Sequence, residues 1–203
     1  MLWILGTLAA LLQIISCVPY VRDILRGTTR PHRGTWIIWC ALALIVLASQ
    51  WADGGRWSLL LVVAQFAGCA VILALTVPRG VGGASRTDLA LLAVAAAGLV
   101  GWYLADDPTI ATACVVLADS IAVIMMLPKT YADPYSETLS AYVLSTVSVL
   151  LAAAAVGSLN AGLLLYPAYL IAADSMLIVV IALRRRKLAP AIGQRHAGLA
   201  RVR

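Results

Sequence analysis

The sequence predicts an all-α integral membrane protein of seven transmembrane helices, and three observations carry that prediction. Of its 203 residues, 63% are apolar and 12% charged, with a mean hydropathy of +0.96; a soluble domain carries about 45–50% apolar and roughly 25% charged residues. Apolar stretches of near-spanning length recur seven times, and seven spans of about 20 residues leave only short connections and a tail. The basic residues alternate between crowded and empty connections, as they do when loops alternate sides of a membrane.

The first apolar stretch covers residues 1 to about 24. Its Ile14-Ile15-Ser16-Cys17 looks like a lipoprotein cleavage site, but a signal peptide wants a basic start and Arg22 follows the apolar run, so the stretch is read as a span. Residues 34–49 and 58–77 form the second and third spans, set off by the turn-rich 27–34 and by Asp53-Gly54-Gly55. The fourth, 88–105, follows the Pro- and Gly-containing 78–85 and has no polar side chain from 89 to 101. The fifth, 109–127, follows Asp106-Asp107-Pro108. The sixth, 138–156, follows Pro134, and the seventh, 161–183, follows residues 157–160.

Arg22, Arg26, Arg30 and Arg33 mark the first connection, Arg79 and Arg86 the third, Lys129 the fifth, and seven more basic residues the tail; Arg56 alone falls on the other side. The positive-inside rule therefore predicts an outside N-terminus and a cytoplasmic C-terminus. The net charge of +6 reports orientation and anionic-lipid contact rather than nucleic acid. Cys17, Cys40, Cys69 and Cys114 all fall within spans without metal-ligand spacing, so they read as packing residues, and no metal or cofactor is expected.

Two landmarks recur. Pro31-His-Arg-Gly-Thr35-Trp-Ile-Ile-Trp39 and Pro134-Tyr-Ser-Glu-Thr138-Leu-Ser-Ala-Tyr142 share a P-x3-T-x3-aromatic pattern, and Pro19-Tyr20 and Pro128-Lys129 end the first and fifth spans. An internal duplication explains both. A three-helix unit ends on the side opposite its start, so a fourth crossing is needed before a second unit enters in the same orientation. The predicted architecture is two parallel three-helix bundles joined by a linker helix (3+1+3): residues 1–77, a loop and linker helix at 78–107, residues 108–183, and a basic tail at 184–203.

With a proline near the cytoplasmic end of the first helix in each half, this arrangement resembles the SWEET and PQ-loop superfamily of small-solute transporters. Tyr20 and Lys129 stand where that family's Pro-Gln pairs have glutamine, and the further helix prolines of its sugar carriers are missing from spans two and six. The segments around Pro31 and Pro134 also look like a group of uncharacterised bacterial membrane proteins. Trp36-Ile-Ile-Trp39 is similar to the tryptophan pair of the seven-span vitamin transporters of the nicotinamide riboside type.

Asp119 and Asp174 fall near the middle of spans five and seven, where an ionised carboxylate costs about 2.5–3.5 kcal/mol. Each reads as a proton acceptor, a counter-charge for a cationic solute, or a structural carboxyl bonded to a neighbouring helix. The resemblance implies that Gln65 and Asp174, in the third helix of each half, face each other across a substrate. Gln13, Ser16, Cys17 and Tyr20 share one face of span one; Tyr142, Ser145 and Ser148 recur every three residues in span six. Trp36 reads as an interfacial-belt residue and Trp39, one turn deeper, as a pocket residue, while Trp3, Trp51, Trp57 and Trp102 read as belt. Pro19, Pro128 and Pro167 are candidate hinges. His32 and His196 read as solvent-exposed loop residues.

These readings predict a transporter of a small polar solute (sugar, amino acid or cation-like metabolite) working by alternating access, with or without coupling to protons. Gln65, Asp174, Trp39, Tyr142, Gln13 and Ser145 would bind solute, and Asp119 or Asp174 would couple to protons. The alternatives are a vitamin facilitator of the nicotinamide riboside type and, from another class, a non-transporting receptor or adaptor. No enzyme is expected: no nucleophile–base pair, metal cluster or phosphate loop is present in the sequence. A monomer already holds both halves, so an oligomer is not required.

Overall fold

Each apolar stretch folds into a helix, the solution that satisfies a backbone within its own segment where water is absent. The computed structural model describes residues 2–52, 57–105, 108–155 and 161–200. The helices are α1 (Leu2–Leu25), α2 (Arg33–Ala52), α3 (Trp57–Arg79), α4 (Arg86–Leu104), α5 (Pro108–Ala132), α6 (Leu139–Ala155) and α7 (Ala161–Ala200). A 3-10 turn at Pro134–Ser136 leads into α6, and among the described residues the only sheet-like pairing is one bridge between His32 and Val81. The turn signals at 53–55, 106–107 and 157–160, with Arg56 and the side chains of Trp51, Trp57 and His196, lie outside what is described.

The helices expose apolar side chains outward, and their mainly apolar core also holds a set of buried polar groups. Exposed side chains include Leu8, Leu11, Ile15 and Val18 on α1, Val94 and Val100 on α4, and Met176, Val179 and Leu183 on α7. Buried ones include Ser16, Thr35, Thr76, Asp119, Thr130, Glu137 and Ser148. That inversion of a water-soluble surface fits a membrane protein. Among the described residues, Leu2–Leu25, Arg86–Leu104, Thr112–Ala132 and Leu164–Ala189 are long and apolar enough to cross a membrane.

In the packing, α3 lies between α1 and α2, and α7 lies between α5 and α6; among the described residues the backbones of α1 and α2, and of α5 and α6, stay apart, and those pairs meet through long side chains such as Trp36 with Tyr20 and Tyr142 with Met126. Contacts between the two triples run from α1 to α6 and from α2 to α5. Exchanging α1 with α5, α2 with α6 and α3 with α7 therefore maps every one of these helix pairings onto another. α4 lies outside this pattern, against α5 with a small contact to α2. Gly98 and Ala95 allow that approach: a Cβ on Gly98 would meet the Cys114 carbonyl at 3.4 Å, the close backbone packing that small residues permit between membrane helices.

The proline and threonine of both P-x3-T copies, Pro31, Thr35, Pro134 and Thr138, are buried, although the two threonines bond different partners, Thr35 the Ala122 carbonyl and Thr138 the Asp23 carboxylate. Thr35 Oγ1 donates to the Ala122 carbonyl of α5 at 2.7 Å, and Ser148 Oγ of α6 donates to the Ala9 carbonyl of α1 at 2.7 Å. Hydroxyls thus tie the triples together at both cross-contacts.

Three expectations are corrected at the end of the bundle that holds the α1–α2 and α5–α6 connections, here the basic end. The seventh helix does not stop at residue 183. Arg184 Nε donates to the Tyr131 carbonyl at 2.8 Å and Arg185 to the Pro134 and Glu137 carbonyls at 3.1 and 2.6 Å, so these arginines dock α7 on the α5–α6 connection, and the helix runs on to Ala200. The fifth helix continues through Pro128 to Ala132. His32 is buried rather than exposed, with Nε2 3.7 Å from Asp88 Oδ1, because the α3–α4 connection folds over it: Val81 N–H donates to the Pro31 carbonyl at 2.8 Å and Arg33 N–H to the Val81 carbonyl at 2.9 Å.

Candidate functional site

A cavity of about 780 Å³ lies between the triples, and all seven helices line it. That volume is within the roughly 300–1,000 Å³ of small-molecule sites. From α1 come Gln13, Ser16, Cys17 and Tyr20, the four that share one helical face in the sequence. α6 contributes Tyr142, Ser145 and Ser148; α2 contributes Trp36 and Trp39; α3 contributes Gln65 and Cys69. Asp119 enters from α5 and Asp174 from α7.

The sequence-predicted binding residues Gln65, Asp174, Trp39, Tyr142, Gln13 and Ser145 thus border one space, joined by Asp119. Pro19, Pro128 and Pro167 stay within continuous helices and are not among the described lining. Ser148 spends its proton on the Ala9 carbonyl, and Ser16 on the Gln13 carbonyl at 2.6 Å, so both serve packing as well as lining. Gln65 makes a long contact, Nε2 to Cys69 Sγ at 4.0 Å.

Two tryptophans depart from their expected place. Trp36 is no belt residue: it is buried, and its Nε1 donates to Tyr20 Oη at 3.2 Å. Its ring lies 5.1 Å from those of Tyr20 and Trp39, tilted against the first and edge-on to the second. A buried indole needs an acceptor for its N–H, and the Tyr20 hydroxyl supplies one. Trp102, also expected in the belt, lines the cavity near its other end.

The carboxylates have neutral donors. Asp119 Oδ2 accepts from Tyr169 Oη at 2.9 Å, with the Trp39 indole as a second donor. Asp174 has the Ser145 hydroxyl. Among the described lining residues there is no lysine, arginine or histidine.

The basic end of the cavity is closed by a cluster the sequence reading missed. Glu137, fully buried, accepts from Tyr20 Oη at 3.0 Å and Tyr142 Oη at 2.9 Å and is ion-paired with Lys129. Lys129 Nζ also donates to the Arg30 carbonyl and, at 3.3 Å, to the Ser136 carbonyl. One turn outward, Thr138 Oγ1 donates to Asp23 Oδ2 at 3.1 Å and lies 2.7 Å from Thr29 Oγ1; since its only proton goes to the carboxylate, Thr29 is the donor in the second bond. Glu137, Tyr20, Trp36, Lys129 and Tyr142 join α1, α2, α5 and α6 across both triples. No family model, curated protein or solved structure matches the chain.

Tyr166 and Tyr169 were missed as well. Their rings stack at 6.3 Å, Tyr166 on the cavity and Tyr169 on Asp119. The available signal was helical spacing: Tyr166, Leu170, Ala173 and Asp174 fall at i, i+4, i+7 and i+8, one face of a helix, and all four line the cavity.

Proposed function

We propose that this chain is a membrane transporter of a small polar solute, which binds in the central cavity and reaches either side as the two three-helix units rock against each other. The observation that carries the reading is a cavity between two triples of like packing, mostly apolar in its walls but bordered by Gln13, Gln65, Asp119, Ser145 and Asp174, and closed at one end by hydrogen bonds that run between them. Such bonds exchange readily, whereas a purely structural core would fill the space with packed side chains.

In this reading all seven helices span the membrane. At about 1.5 Å per residue, the 20 residues of α2 and 23 of α3 cover the hydrocarbon core, and the 17 of α6 reach the lower end of the spanning range of roughly 17–25. The basic end faces the cytoplasm of a bacterial cell, with the arginines of 22–33 and 184–186 near anionic lipid. The cytoplasmic side is then the closed one.

The test is reconstitution in liposomes with counterflow of labelled sugars, amino acids, nucleosides, pyridine vitamins and organic cations, paired with thermal stabilisation of the purified protein by the same compounds. A native-state ligand at 100 times its dissociation constant adds about 2.7 kcal/mol. Saturable flux of a stabilising solute supports the reading. A folded protein with neither flux nor stabilisation refutes it and favours a receptor or adaptor, which would lose its partner when residues 188–203 are deleted.

A further inference from the structure

We infer that the solute is an organic cation carrying an apolar or aromatic body; this rests on the transporter reading and names its substrate class. Two carboxylates, Asp119 and Asp174, border one cavity and lie close enough to repel each other when both are charged. Tyr169, Trp39 and Ser145 orient them through hydrogen bonds but carry no charge to cancel theirs. The nearest built-in cation at the basic end, Lys129, is already committed to Glu137 and two carbonyls. Glu137 is therefore compensated within the protein, and the cavity pair is not.

The walls select further. Trp36, Trp39, Tyr20, Tyr142 and Tyr166 line the same space, and aromatic faces attract a desolvated cation through their quadrupoles. An anion meets two like charges. A neutral sugar leaves both carboxylates uncompensated in surroundings where an ionised group without a partner is costly. A quaternary ammonium, amidinium or pyridinium supplies the missing charge and lays its carbon frame on the rings.

The experiment uses the full chain in nanodiscs and matched pairs that differ in charge: choline against 3,3-dimethylbutan-1-ol, and 1-methylnicotinamide against nicotinamide, with glucose and benzoate as neutral and anionic references. Equilibrium binding is expected to favour each cation over its neutral partner by about tenfold or more, with no binding of benzoate. Asp119→Asn and Asp174→Asn should each reduce that preference. The wild-type pairs stand alone as a test if either variant fails to fold. Equal binding of cation and neutral partner, as protonated carboxyls would give, or binding of glucose alone, overturns the cation assignment and leaves the transporter reading intact. Binding of nothing in these pairs or in the wider solute panel, with no flux in liposomes, overturns both.

Discussion

Tyr20 of α1 and Lys129 of α5, each the residue after its half's matched proline, contact the same carboxylate: Tyr20 Oη donates to Glu137 Oε2 at 3.0 Å while Lys129 Nζ pairs with Oε1. Positions related by the sequence repeat thus converge on a residue that belongs to one half only. The closed end of the cavity is asymmetric for that reason, with a phenol on one side and an ammonium on the other.

Removing either member of a buried pair strands the other, at about 3–5 kcal/mol when both are fully buried. Lys129→Met leaves Glu137 with two phenol donors and no counter-charge. Glu137→Gln leaves Lys129 with the Arg30 and Ser136 carbonyls. We expect Lys129→Met to lower the melting temperature of purified protein more than Glu137→Gln, and the double variant to lose less than the sum of the two. Additive losses would show that the pair is not coupled.

The cross-triple hydroxyls should cost much less. Thr35→Val and Ser148→Ala each delete one bond to a carbonyl, of Ala122 and Ala9, and both acceptors sit inside helices where backbone partners remain. The expected loss is about 0.5–1.5 kcal/mol apiece, read from chemical or thermal unfolding. Being far apart, on α2 against α5 and α6 against α1, the two losses should add. A loss several times larger at either site would mean that the hydroxyl does more than bridge the triples.

How far the sequence could be read follows from where each signal lay. Helix positions were legible because apolar runs and turn residues are local, and the cavity faces of α1 and α6 because polar residues recurred at helical spacing. Glu137 was not, since a carboxylate in a connection next to basic residues looks like a surface charge; its burial comes from Tyr20, 117 residues away, and from Arg185 closing over its carbonyl. Trp36 looked interfacial because Arg33 is three residues away, yet α1 presents a hydroxyl to its indole. His32 looked like a loop residue because the segment that covers it, 80–83, is some 50 positions downstream. These three misses are long-range contacts that one-dimensional spacing does not encode, whereas Tyr166 lay on a helical face that spacing does show.

His32 gives a pH dependence of known sign. Burial lowers its pKa below the ordinary 6.5, with Asp88 opposing and Lys129 and Arg33 adding to the depression. The unfolded chain then binds the proton more readily than the folded one, so stability is fully present above pH 6.5 and is lost as pH falls through the folded value. The slope for one proton stays under about 1.4 kcal/mol per pH unit. Melting temperatures at pH 7.5 and 5.5 should show a smaller acid-side drop for His32→Gln than for wild type; equal drops would exclude His32 as the source.

Two glycines separate backbone strain from collision. Gly27, at φ +74°, ends α1 with its N–H donating to the Ile24 carbonyl at 3.0 Å, and a Cβ there would meet open space. Gly82, at φ +67°, would drive a Cβ into the His32 ring. Both substitutions pay the left-handed penalty of about 1–2 kcal/mol, but only Gly82→Ala must also displace a buried side chain held against Asp88. We therefore expect Gly27→Ala to cost about 1 kcal/mol and Gly82→Ala distinctly more. The excess should shrink when His32→Ala is added, because the smaller side chain vacates the space the new methyl needs. If Gly82→Ala is as mild as Gly27→Ala in thermal unfolding, the 80–83 segment does not press on His32 as described.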